Sequence, residues 1–303
     1  MALIKRHPRI PDYILEMPLE EIAERGGIAD LFEQGHLIII RDYRLDFDFD
    51  ALAALSKSTE SVGDPELRRK LKKLTAPNFF EGSSPKRIGR HTRFEEPLRQ
   101  AIYDTLCRGD RKLFDRAARA LRHSHEEALR IFGICFPGYE PFRFVPSVRL
   151  TRTMFENLHW DNHSIDDDFH QARVFANLDT RPRIWNVSNR FTDWVREHYE
   201  EHGLAQFAGS DPNLMLDYIA GSVLGGTANT WMDQEPRHRI AFDPGEVWLG
   251  ESRVISHQIS YGEAALVYMW FVKVASMADG DRRFNRQVER VHEEMALKAT
   301  AAA

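Results

Sequence analysis

Over its first half the chain is patterned mainly for helices. Between residues 18 and 35, Ile22, Ala23, Ile28, Leu31 and Phe32 recur among Glu20, Glu21, Glu24 and Glu33, with a Gly26-Gly27 break and a closing Gly35. His36 to Ile40 (HLIII) predicts a short β-branched strand, and 48–57 a second helix. Residues 94–134 predict one or two helices, in which Leu113, Phe114, Ala117, Leu121, His125, Leu129 and Phe132 follow the helical period. His123 and His125 fall on opposite faces in a polar surround, so both are expected at the surface. Pro137-Gly138 then breaks the chain.

From Phe142 the period shortens to that of strands. Residues 142–153, 170–179, 183–188 and 264–274 predict strands, and Asp243-Pro244-Gly245 predicts a turn into another, EVWLGES. Helices interrupt this half at 191–202 and at 211–220, where Asp211 is an N-cap and Pro212 the first helical residue. Gly221, Gly225 and Gly226 mark a tight or mobile connection, and 279–298 predicts a C-terminal helix. Short strands with no repeating βαβ unit favour an antiparallel sandwich or barrel with added helices, an α+β architecture.

Composition narrows the function classes. The chain has 303 residues, enough for a substantial core, and a net charge of −5 gives no basic field for nucleic acid. No apolar run approaches the roughly 20 residues of a membrane helix. The N-terminal segment has basic residues but no continuous apolar stretch of the kind that secretory signals carry. Cys107 and Cys135 make neither a disulfide framework nor a zinc knuckle, so a reducing, cytoplasmic setting is expected. Residues 61–92 are rich in Arg and Lys; they read as a solvated helix face or as a rim for an anionic substrate, with 77–90 long enough for a lid.

Candidate chemistry sits in Leu158-His159-Trp160-Asp161-Asn162-His163. On an extended strand His159 and Asp161 leave the same face. With a distant histidine they make the ligand set of the facial triad that holds non-haem Fe(II). His-x-acid pairs also occur at His125/Glu127, His198/Glu200 and His292/Glu294, but those stretches are helix-like, where positions two apart do not face each other. The third ligand is His257, delivered after a Pro-Gly-acid turn and an apolar strand. The bland alternatives are a satisfied core histidine or a surface His-x-Asp with no metal. His163 reads as a supporting or surface residue.

On this His-x-Asp…His pattern the chain resembles the Fe(II)/2-oxoglutarate-dependent dioxygenases. The segment RVFANLDTRPRIWNVS (173–188) and the run to VWLGESRVISHQISYGEAALVYMW bear a more distant likeness to Kdo (3-deoxy-octulosonic acid) hydroxylases. The likeness covers roughly 142–272. It implies a double-stranded β-helix (jelly roll, cupin-like) core with N-terminal and C-terminal helices. The whole chain would be one oxygenase domain: 1–140 mostly helical, 141–275 the metal-binding core, and 276–303 the last helix. It further implies Fe(II) on His159, Asp161 and His257, 2-oxoglutarate as co-substrate, O2, and oxidation of a C–H bond in a small polar substrate. A sugar acid such as Kdo, an amino acid or a natural product would serve, and a homo-oligomer stays open.

One departure bears on the co-substrate. Many members hold the far carboxylate of 2-oxoglutarate with an Arg some ten residues after the distal His, yet Gln258 to Trp270 contains no Arg or Lys. Arg173, Arg183 and Arg149 are therefore candidate anchors, because a guanidinium fork suits a carboxylate, with Asn177 and Trp185 as weaker pocket candidates. A reading from another class keeps the jelly roll but drops the redox chemistry, as a cupin-type metal-binding isomerase or a sugar-binding protein.

Overall fold

The computed structural model describes residues 2–74, 96–154, 157–161, 169–220 and 235–302. Its strands are β1 (Leu3–Lys5), β2 (Ile14–Pro18), β3 (Leu37–Arg44), β4 (Lys73–Leu74), β5 (Pro141–Met154), β6 (His170–Asn177), β7 (Arg183–Arg190), β8 (His238–Phe242), β9 (Glu246–Leu249) and β10 (Ile255–Val272). The helices are α1 (Leu19–Glu24), α2 (Ala29–Glu33), α3 (Phe49–Glu60), α4 (Pro65–Leu71), α5 (Glu96–Ala101), α6 (Arg111–Cys135), α7 (Phe191–His198), α8 (Pro212–Tyr218) and α9 (Phe284–Ala302). The predicted Asp211 cap is in place, accepting from the Asn213 N–H ahead of α8, and the structure adds Asp110, which accepts from Lys112 and Leu113 ahead of α6.

The strands form one mixed, curled sheet in the order β1-β8-β7-β10-β6-β9-β3-β2, with β5 also on β10 and β4 on β5. The 18-residue β10 organises it. Its first part, Ile255 to Tyr261, pairs with β7, and its later part pairs with β6 on one side and β5 on the other. Register shifts at Ile259/Tyr261 against β7 and at Gly262/Ala264 against β5 mark irregular pairing where the strand passes from one set of partners to the next. A strand shared this way curls the sheet over itself, as in a jelly roll.

Alternation along the strands feeds two cores. Leu266, Tyr268, Trp270 and Val272 of β10, with Val174 and Val247, pack against Leu55 of α3 and Leu121 and Phe132 of α6. Ala265, Val267, Phe175 and Trp248 point the other way, toward Trp185, Ile240 and Phe242 of β7 and β8. Trp248 lies stacked on Phe242 at 3.8 Å and on Phe175 at 5.5 Å, bridging the two halves of the curl.

Several expectations change. The sheet reaches beyond 141–275, because β1, β2 and β3 of the N-terminal part pair into it. Residues 18–35 are not one helix: Ile14–Pro18 is a strand, and the Gly26-Gly27 break separates α1 from α2. His125 is half-buried rather than at the surface, its Nδ1 2.9 Å from the Tyr268 hydroxyl, whereas Leu129 is exposed. Asp243-Pro244-Gly245 does turn; Gly245 has φ +79°, and a Cβ there would lie 2.6 Å from the Leu45 carbonyl oxygen. The stretch 77–90, His163, and Gly221, Gly225 and Gly226 lie outside the described residues.

Candidate metal centre

The segment Asn157–Asp161 docks against the start of β10. His159 and His257 form an antiparallel bridge, the His159 N–H donating to the His257 carbonyl at 3.1 Å and the His257 N–H donating back at 2.9 Å. Residues opposed in this way share a face, and the two imidazole rings lie 4.6 Å apart. Leu158 and Trp160, which alternate with His159 and Asp161, are buried in the core that holds Phe175, Trp185 and Trp248 and fix the segment there. The Asp161 N–H donates to the Ser252 carbonyl at 2.9 Å, which brings its carboxylate over both rings.

Both histidines are oriented by their own backbones. His159 Nδ1 lies 2.7 Å from the Asn157 carbonyl and His257 Nδ1 3.2 Å from the Ile255 carbonyl. A carbonyl only accepts, so each Nδ1 carries the proton and each Nε2 presents a lone pair. His159 Nε2 is 3.6 Å from Asp161 Oδ1, and His257 Nε2 is 3.8 Å from Asp161 Oδ2. All three donor atoms lie within 4.8 Å of one another. Donors about 2.1 Å from one shared octahedral ion would be about 3.0 Å apart, so small side-chain rotations close the set.

The electrostatics suit a cation. Burial, and then the proximity of His159, hold the His257 imidazole down to about 3, so it is neutral at ordinary pH. Burial works to raise the Asp161 carboxyl, but Arg173 and the two histidines outweigh it and hold the group well below the usual range. A neutral imidazole at His257, an Nε2 lone pair on His159 and a fixed carboxylate are the donor types that facial non-haem iron sites use. The His159 and Asp161 side chains keep 34% and 24% of their surface, so the group opens to solvent on one side. His257 backs onto Trp185, ring on ring at 5.3 Å and 21°.

The four residues considered for the co-substrate have different surroundings. Arg173, buried on β6, donates to the Asp161 carboxylate. Arg183, buried on β7, lies across Gly262 of β10, where a Cβ would come within 2.8 Å of its Cζ. Asn177 is committed to backbone: its Nδ2 donates to the Arg181 carbonyl in the loop between β6 and β7 and to the Phe242 carbonyl at the end of β8, and its Oδ1 accepts from the Asp179 N–H. Arg149 stands on β5 opposite Ala265 of β10, and its charge is felt by Arg173. The Nε of Arg149 is buried with no hydrogen-bond partner among the described residues.

Sequence reasoning passed over the polar group behind Asp161. The Ser252 hydroxyl donates to Gln171 Oε1 at 3.0 Å, and next to them His170 and Glu251 form a buried pair at 3.2 Å. Polar residues in the otherwise apolar strand start HQARVFAN and in the GES turn were the available signal.

No protein-family model matches the chain, and no curated protein does. Solved structures do. The Kdo hydroxylase KdoO, described as a non-heme Fe(II) alphaketoglutarate-dependent dioxygenase, superposes in its complex with alphaketoglutarate and Fe(III) at a TM-score of 0.58 and 15% identity, over 94% of this chain and 96% of that one. Its cobalt(II) complex gives 0.60 at 14% identity, over 95% and 96%. The chain thus has the fold of a Kdo hydroxylase along nearly its whole length.

Proposed function

We propose that the chain is an Fe(II)- and 2-oxoglutarate-dependent dioxygenase built on a double-stranded β-helix, acting on an unactivated C–H of a small polar substrate. The observation that carries this is the convergence of His159 Nε2, His257 Nε2 and the Asp161 carboxylate, with both Nδ1 protons held by backbone carbonyls. The KdoO fold likeness supports it independently of the motif. His159, Asp161 and His257 would hold the iron, and the bound iron with 2-oxoglutarate and O2 supplies the C–H oxidation, with succinate and CO2 as products.

The chain's own residues provide the rest. Arg173 balances the Asp161 charge and holds the carboxylate over the rings. Trp185 shields one face of His257. Arg149 is the anchor we favour for the distal carboxylate of 2-oxoglutarate, since Arg173 is engaged by Asp161 and Asn177 by backbone. A sugar acid of the Kdo type is the substrate class that the KdoO likeness and the basic residues favour, and 1–303 is read as one oxygenase domain.

The test is an anaerobic titration of the purified chain. A visible charge-transfer band should appear only when Fe(II) and 2-oxoglutarate are both present, and vanish in Asp161→Ala. Absence of the band, with tight Zn(II) or Mn(II) binding instead, would favour the non-redox cupin reading.

A further inference from the structure

A second group of metal-ligating side chains lies at the end of α7, in the sequence His198-Tyr199-Glu200-Glu201-His202. The helical turn continues past His198, because the His202 N–H donates to the His198 carbonyl at 3.2 Å. His198, Glu201 and His202 therefore sit at helical positions i, i+3 and i+4, on one face. Glu200, the residue that makes the His-x-Glu match in the sequence, is at i+2 and faces away.

The three side chains converge. His198 Nδ1 is 3.1 Å from Glu201 Oε2, and one donor atom from each of the three lies within 4.8 Å of the others. Beneath them the buried indole of Trp194 forms a floor, 4.6 Å from the His198 ring and 5.8 Å from the His202 ring, parallel to the latter within 6°. Glu235, from a separate stretch of chain, lies within the electrostatic reach of His198. Donors on a tetrahedral ion at about 2.1 Å stand about 3.4 Å apart, so the His198–Glu201 pair already has the spacing.

We propose that His198, Glu201 and His202 form a second divalent-cation site on this chain, separate from the first centre. Two imidazoles and one carboxylate are the donors of a borderline cation such as Zn(II), and two nitrogens disfavour Mg(II) and Ca(II). Trp194 also meets, edge to face at 5.8 Å, the indole of Trp160, the residue between His159 and Asp161 in the sequence. A cation here would tie the last turn of α7 to the loop that follows it.

The test is metal stoichiometry on the tag-free, metal-stripped chain, by equilibrium dialysis against Zn(II) with elemental analysis. The wild type should bind two equivalents. His198→Ala/His202→Ala should bind one, and its retained equivalent, with an unchanged far-ultraviolet circular dichroism spectrum, shows that it is folded. His159→Ala/Asp161→Ala should also keep one, and this is the arm that depends on the first centre. Equal stoichiometry in the wild type and His198→Ala/His202→Ala overturns the second site, whatever the first centre binds.

Discussion

His257 is where residue-level physics is most exposed to measurement. In the folded chain, burial and the neighbouring His159 hold it down to about 3, against 6.5 when unperturbed. Between those values the unfolded chain binds the additional proton, so the metal-free protein loses stability as the pH falls through that window. His257→Gln removes this part of the loss. Its denaturant midpoint should fall less than that of the wild type between about pH 7 and about pH 5, whereas equal slopes would mean that His257 is not buried neutral. Arg149→Gln should raise the 2-oxoglutarate concentration for half-maximal turnover by about 10- to 100-fold, equivalent to about 1.5–3 kcal/mol for a charged hydrogen bond, with metal loading unchanged. The same rise in Arg183→Gln and none in Arg149→Gln would move the anchor to β7. That His159 and Asp161 fall together was legible because strand alternation is local, and His257 was read from the turn and apolar strand ahead of it. The Arg173–Asp161 contact was not, since it depends on how β6 and the 157–161 segment come together across β10.

Among the elements, β10 determines the most. Its apolar half was legible at 264–274, but Gln258, Ser260, Gly262 and Glu263 disguise the first half, which carries His257. They fall in a strand here because β7 pairs with the run to Tyr261 and β5 takes over from Tyr261 and Gly262, an effect that no local pattern encodes. The short strands β1, β2 and β8 were missed for the same reason. The stack of Trp248 on Phe242 and Phe175 joins the two halves of the curl. Trp248→Ala should destabilise the chain by about 3–5 kcal/mol, the cost of emptying a large buried aromatic site, measured by denaturant unfolding. A loss below about 1 kcal/mol would place the packing between the halves elsewhere.

For the whole molecule, the division into an early helical part and a later strand-rich part was legible, since it follows from hydrophobic period alone. The closing of the sheet was not: β3 pairs with β9 across some two hundred residues of sequence, and only tertiary packing brings them together. His257 lies on β10, the strand that β6 and β7 share, and strand residues of both cores pack around it. No helix among the described residues is long and apolar enough to cross a membrane. Turnover is the property of the assembled molecule, and it tests the proposed iron chemistry most directly. Incubated aerobically with 2-oxoglutarate and candidate polar acids, the chain should release succinate only when Fe(II) is present, and His159→Ala and Asp161→Ala should abolish the release. Undiminished succinate formation by a chelator-treated, metal-free chain would contradict it.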